Sequence, residues 1–257
     1  MSSLIPYLIA CPLCMLAGFI DSIAGGGGLI SLPAYYLALG GSGGVLARLS
    51  AGTNKVSASF GSIAAVARYA RGGDIAWVPA LTATAGALPG AFLGAQALKA
   101  IPEALALKIM LVVLPVVCVA LLIRRGEFQR KITPGVWRYP AYAAIGLAVG
   151  FYDGMIGPGT GTFLILLFSG VTGMEPIMAS GSAKVVNLAS GVSSLFSFMI
   201  GGYVDWLLGL AAAAFSIAGN LLGAGLAMRG GEKVIRAVLA IVLALILATL
   251  GVRAAGA

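Results

Sequence analysis

The chain has 257 residues, 60% of them hydrophobic and only 9% charged, and its mean hydropathy is +1.04. Water-soluble domains carry roughly 25% charged residues, so a soluble globular protein is excluded and an all-α polytopic membrane protein is expected. Histidine is absent, and the net charge of +8 is gathered in loops between apolar stretches. That removes His-dependent triads and the commonest metal ligand, and it leaves no soluble basic face for nucleic acid.

Charges and turn residues divide the chain into eight apolar segments, near 4–39, 50–70, 75–98, 103–123, 139–170, 177–200, 205–228 and 233–252. The first is too long for one crossing. A helix of about 35 residues would extend some 52 Å, against a hydrocarbon core of about 30 Å. Gly25-Gly26-Gly27-Gly28 interrupts it, so two pieces are expected, with Asp21 four residues before the break. Cys11 and Cys14 have CxxC spacing but no soluble redox domain around them; they and Cys118 are read as packing residues. Leu8-Ile9-Ala10-Cys11 echoes a lipoprotein box, but no Lys or Arg precedes Arg48, and the N-terminus is read as uncleaved.

The second segment carries Asn54 and Lys55 near its start, among Ser50, Thr53 and Ser57. The third opens on Trp77, placed as an interfacial anchor. It also holds Gly90 and Gly94, read as a packing surface, and Gln96, for which an interhelical hydrogen bond is the default. Glu103 follows Pro102 in the first turn of the fourth, where a carboxylate suits the helix dipole. Arg124, Arg125, Arg130, Lys131 and Arg138 then form a basic linker over 124–138, expected on the cytoplasmic side. The fifth segment is again over-long and is broken by Gly157-Pro158-Gly159-Thr160-Gly161, four residues after Asp153. Lys184 and Asn187 lie in the sixth, beside Ser180 and Ser182; Trp206, Gly219, Asn220 and Gly223 lie in the seventh. Trp206 is likewise placed as an interfacial anchor and the two glycines as a packing surface, and for Asn220, as for Gln96, an interhelical hydrogen bond is the default.

The order of these features repeats. Gly18-Phe19-Ile20-Asp21 returns as Gly150-Phe151-Tyr152-Asp153, 132 residues later, and after a shorter loop the offset settles at 129. At that offset Lys55 matches Lys184, Gly72-Gly73 matches Gly201-Gly202, Trp77 matches Trp206, Gly90 and Gly94 match Gly219 and Gly223, and Glu103 matches Glu232. Chance likeness of two apolar sequences would not keep Asp, Lys, Trp and Glu in register. The expected organisation is a first repeat over 1–123, the cytoplasmic linker over 124–138 and a second repeat over 139–257. Each repeat has a glycine-broken first segment followed by three transmembrane helices. If the broken segments cross once, the repeats are parallel and the basic residues, those inside the spans left out, divide eight inside to five outside. If they re-enter or cross twice, the repeats are inverted and the division is ten to three, so inversion is favoured.

Broken segments at matching positions in two halves point to a transporter's binding site. Unwound backbone survives at membrane depth only where protein or a wet cavity covers it, and each break exposes a helix N-terminus that attracts anions. The candidate substrate-binding residues are Gly25, Gly26, Gly27, Gly157, Gly159 and Thr160 of the breaks, with Asn54, Asn187, Lys55 and Lys184; Thr162 is a further neutral donor. For the lysines the competing reading is snorkelling to the interface. Asp21 and Asp153 either carry the coupling proton or orient the broken loops as caps. No cofactor or metal is called for. A Ser182/Lys184 dyad is the enzyme alternative, and the duplication explains the lysines better.

Residues 150–161, Gly-Phe-Tyr-Asp-Gly-Met-Ile-Gly-Pro-Gly-Thr-Gly, resemble the TauE/SafE sulfite exporter family, as does Gly-Phe-Ile-Asp-Ser-Ile-Ala-Gly-Gly-Gly-Gly at 18–28. Lys184, Asn187, Phe196, Gly201 and Gly202 fit the pattern that follows, and the resemblance covers essentially the whole chain. It implies a duplicated bacterial inner-membrane protein of seven or eight helices that moves sulfite, sulfonates or related organosulfur anions, coupled to the proton gradient. The first motif reads GGGG where the second reads GPGTG, which puts the equivalence of the two half-sites in question. The resulting expectation is a multi-pass secondary transporter of a small sulfur-containing anion, partnered by that anion and the lipid bilayer, with a homo-oligomer compatible and nucleic acid excluded. An uncoupled channel for small anions or neutral solutes is the alternative.

Overall fold

A computed structural model of the protein describes residues 4–40, 45–102, 105 and 138–255. Among these residues the ordered elements are all helices: α1 (Ile5–Ala24), α2 (Gly28–Leu39), α3 (Leu46–Gly72), α4 (Trp77–Ala100), α5 (Arg138–Met155), α6 (Thr160–Thr172), α7 (Pro176–Ile200) and α8 (Trp206–Ala255). Four stretches are long and apolar enough to cross a bilayer: Ile5–Ala24, Trp77–Ala100, Pro176–Ile200 and Trp206–Gly230. α3 has the length, at 27 residues, but is far more polar. The reason is its position. It packs against α2, α7 and α8 and turns Ser50, Thr53, Asn54, Lys55, Ser57, Ser59 and Ser62 into the protein.

Both over-long segments break where glycine permits it. Gly25 ends α1 at φ +77°, and Gly157 and Gly159 separate α5 from α6 at φ +87° and +86°, a region where a Cβ is costly. Each break reverses the chain. Tyr35 and Ala38 of α2 lie back along Ala10, Cys11 and Cys14 of α1. In the second half, Phe163 and Phe168 of α6 meet Tyr152 and Tyr142 of α5, with ring centroids 5.2 and 6.2 Å apart. Both first segments are therefore helical hairpins with glycine tips.

Glycines set how the remaining helices lie on these hairpins. Gly86, Gly90 and Gly94 of α4 face Ala143, Leu147 and Phe151 of α5 in the same order, while Gly146, Gly150 and Gly154 face Ala83, Ala87 and Ala91. Likewise Gly219 and Gly223 of α8 face Met15 and Phe19 of α1. A Cβ at Gly146 or Gly219 would collide with a facing carbonyl oxygen, so the two pairs, α4–α5 and α1–α8, run parallel with their backbones in contact, as small-residue helix interfaces do. The sense of each helix follows. The first hairpin opens on the face that holds the starts of α3 and α8, here the Arg48 face. The second opens on the opposite face, with the starts of α4 and α7, here the Asp74 face. Trp77 and Trp206, both about half exposed, begin α4 and α8 on opposite faces.

Two sequence expectations differ from this structure. The seventh and eighth segments are not separated near 229–233; α8 continues through them for 50 residues. Gly230 and Gly231 each cost a helix only about 1 kcal/mol relative to Ala, Glu232 and Lys233 are good helix formers, and no proline intervenes. Gln96 lies exposed on α4 and not between helices. The fourth segment's body, Glu103, Cys118 and the linker up to residue 137 lie outside the described residues.

Candidate functional site

The two hairpins meet tip to tip. Thr162 donates its backbone N–H to the Gly25 carbonyl (3.2 Å) and its hydroxyl to the Ala24 carbonyl (2.8 Å). Gly28 sits against Pro158, and a Cβ on Gly25 would fall inside the Gly161 backbone. The breaks are thus unwound backbone covered by protein, with carbonyls of one tip satisfied by the other, as membrane depth demands.

Beside the tips lie two ion pairs, and each crosses between the halves. Lys55 of α3 reaches Asp153 of the second hairpin, with 2.8 Å to the carboxylate and 2.8 Å to the Asp153 carbonyl. Lys184 of α7 pairs with Asp21 of the first hairpin. The lysines are buried, at 6% and 1% exposure, so they point to the centre and do not snorkel. Each carboxylate also grips its own break. Asp21 accepts the Gly27 N–H (3.2 Å), and Asp153 accepts the hydroxyls of Thr160 and Ser190 (2.8 Å each). Two carboxylates and two ammonium groups leave the centre with no net charge.

A cavity of about 60 Å³ adjoins these pairs, room for roughly four waters. Its wall includes Asp21, Gly25, Gly27, Asn54, Lys55, Asp153, Gly157, Gly159, Thr160 and Asn187, all singled out from the sequence. Gly26 and Lys184 are not among its lining residues. Ser31, Ser57, Ser59, Ser62, Ser216 and Asn220 line it as well, and none of them is expected from the sequence in this role. A signal was present: Ser59 and Ser62 follow Lys55 by four and seven residues, which puts them on one helix face. Asn220, expected to bridge helices, instead donates within α8 to the Ser216 carbonyl (2.9 Å). Its Oδ1 is buried without a partner, as are Asn54 Oδ1, Asn187 Oδ1 and Ser59 Oγ. The polar end is one-sided. The repeat counterparts of Ser59, Ser62, Ser216 and Asn220 are Leu188, Gly191, Ala87 and Ala91, so the cavity leans toward α1, α3 and α8.

Apolar clusters flank the tip contact on either face. Toward the Asp74 face, Ile23, Ala24, Tyr69, Ile75, Ala224 and Ala227 pack together. Toward the Arg48 face stand Ile156, Phe198, Ala95 and Leu98, with Met155 and Val204 against them. Most of these residues are repeat counterparts, Tyr69 of Phe198 among them. Tyr69 differs by its hydroxyl, which donates to the Ser22 carbonyl at 2.7 Å. Tyr69→Phe leaves that buried carbonyl short of a donor, and a loss of about 1–2 kcal/mol is expected. Thermal unfolding in detergent checks it; a variant as stable as the wild type would show that the bond contributes nothing.

Known proteins share this sequence pattern along most of its length. The sequence model of the family described as "Sulfite exporter TauE/SafE" matches residues 10–250. A Sinorhizobium protein named "Probable membrane transporter protein ORF9" is 34% identical over 235 residues, covering 88% of this chain and 85% of that protein. The Escherichia coli K12 protein named "Probable membrane transporter protein YfcA" is 34% identical over 240 residues, covering 92% and 86%. A Haemophilus influenzae protein named "Probable membrane transporter protein" is 32% identical over 226 residues, covering 86% and 84%. No solved structure matches the chain.

Proposed function

The chain belongs to the sulfite exporter TauE/SafE family of membrane transporters, and from that premise we propose that it is a proton-coupled secondary transporter of a small sulfur-containing anion. The two halves are inverted repeats of one unit, residues 1–123 and 139–257, around the linker. The Asp74 face, which holds Arg68, Arg71 and the start of α5 after the basic linker, is cytoplasmic, and the membrane is the bacterial inner membrane. The substrate occupies the cavity beside the hairpin tips. Asn54, Asn187, Thr160 and the glycine backbone at 25, 27, 157 and 159 are its neutral contacts.

The observation that carries this reading is the Lys55–Asp153 pair in the cavity wall. While Asp153 is ionised, its charge cancels that of Lys55. When Asp153 takes a proton, the Lys55 ammonium becomes the counter-ion for an entering anion, and the buried charge stays balanced. A proton and a single negative charge then move together. The Lys184–Asp21 pair, whose lysine is outside the cavity lining, orients the first break. A channel has less support, because the hairpin tips touch each other and apolar clusters lie on both faces of that contact.

Asp153→Asn tests the coupling, since the amide stands in for the protonated acid. In proteoliposomes, uptake driven by a pH gradient should fall at least about tenfold, the accumulation that one pH unit supports. Exchange of labelled for unlabelled sulfite should persist. Gradient-driven accumulation undiminished in this variant would overturn the assignment of Asp153.

A further inference from the structure

We propose that Arg48, Lys99 and Tyr203 form a second anion-binding station on the Arg48 face, which takes the charged oxygens of a small oxyanion. Arg48 donates to the Ile101 carbonyl (2.9 Å) and to the Tyr203 hydroxyl (3.5 Å), and its guanidinium carbon lies 5.6 Å from the Tyr203 ring centre. Lys99 donates to the Ser197 carbonyl at 2.8 Å. Its stem shares Gly201 with the same ring: a Cβ built on Gly201 would stand 2.7 Å from Tyr203 Cδ2 and 3.3 Å from Lys99 Cδ. Two cations therefore flank one phenol.

Among the described residues neither cation is neutralised by a carboxylate; the ion pairs there are Lys55–Asp153 and Lys184–Asp21. Asp205, two residues beyond Tyr203, accepts the Leu208 N–H and caps α8. A guanidinium offers five donors and an ammonium three, so beyond the bonds to Ile101, Ser197 and Tyr203 there is donor capacity to spare, beside two positive charges that no carboxylate of the described residues pairs. Such a place attracts an anion.

The fold itself does not call for these charges. The same loop-to-helix contact is built twice: Asp205 N–H to Thr53 Oγ1 at 2.9 Å, and Ala76 N–H to Ser182 Oγ at 3.0 Å. Yet the repeat counterparts of Arg48 and Lys99 are Ile177 and Met228, and the Asp74 face closes without them. Arg48 precedes Lys55 by seven residues, which sets it on the same side of α3, about 10 Å further out. Given the transport reading above, the station is where an anion first docks on its way to the cavity, but its own evidence and test do not depend on transport.

The test follows acetylation of Lys99, read by mass spectrometry on the protein reconstituted in phosphatidylcholine vesicles. Sulfate is the probe, against chloride at matched ionic strength. Sulfate is expected to slow the reaction several-fold in the wild type and not in Arg48→Gln. Tyr203→Phe, which keeps the ring, should weaken the protection about two- to threefold, the value of one modest hydrogen bond. Protection by phosphatidylglycerol in place of sulfate would identify the occupant as a lipid headgroup; protection by sulfate alone would identify a solute. Equal rates with and without sulfate, in both lipids, would overturn the proposal. Protected Lys99 in a protein that moves no anion would leave the station standing and count against the transport reading.

Discussion

Lys184→Met is expected to destabilise the protein by about 3–5 kcal/mol, the usual cost of breaking a buried pair from one side. Lys184 is 1% exposed and meets Asp21 where α1 ends. Removing the ammonium strands a carboxylate at membrane depth beside unwound backbone. The double variant Asp21→Asn/Lys184→Met removes both charges, and the asparagine oxygen can still accept the Gly27 N–H that Asp21 accepts now. Most of the stability should therefore return in the double variant, while Asp21→Asn alone, which strands the more deeply buried ammonium, should cost about as much as Lys184→Met. Thermal unfolding of the four proteins completes the cycle. A single Lys184 variant as stable as the wild type would refute the idea that this pair holds the hairpin.

Gly25→Ala is expected to abolish anion transport, a loss of at least about a hundredfold. Two effects combine there. At φ +77° an alanine is strained by about 1–2 kcal/mol. Its methyl would also occupy the space of the Gly161 backbone, forcing the tips apart and stripping Thr162 of its two carbonyl partners. Gly73→Ala separates the two causes, because Gly73 has nearly the same φ, +78°, with nothing within 4 Å of an added Cβ. That control should be strained to the same degree yet transport normally. If both alanines impaired transport equally, strain and not tip contact would be the explanation.

Much of this site is legible in the sequence, because membrane burial makes rare residues conspicuous. Carboxylates and lysines recur in register within an otherwise apolar chain, and the glycine runs interrupt segments too long to be single helices. Those features locate the hairpin breaks, Asp21, Asp153, Lys55 and Lys184. Pairing is not legible. Which lysine meets which aspartate depends on how two hairpins from opposite faces interdigitate, and local sequence carries no record of that. Both lysines look like open cations for an anion, whereas each is already matched by a carboxylate of the other half. Ser59 and Ser62 of α3 and the place of Asn220 in the cavity wall are not legible for a different reason: a small hydroxyl or a single amide in a transmembrane helix most often serves packing. Only the helix face they share with Lys55, or the absence of polarity at their repeat counterparts, distinguishes them.

The crossed pairing of charges also bears on the ancestry of the chain. Neither half can neutralise its own break: Asp21 relies on Lys184, and Asp153 on Lys55. A single unduplicated unit would thus have exposed an unmatched acid and an unmatched base in the bilayer. A second copy in the opposite orientation, as in the inverted repeats proposed above, would have supplied both missing partners.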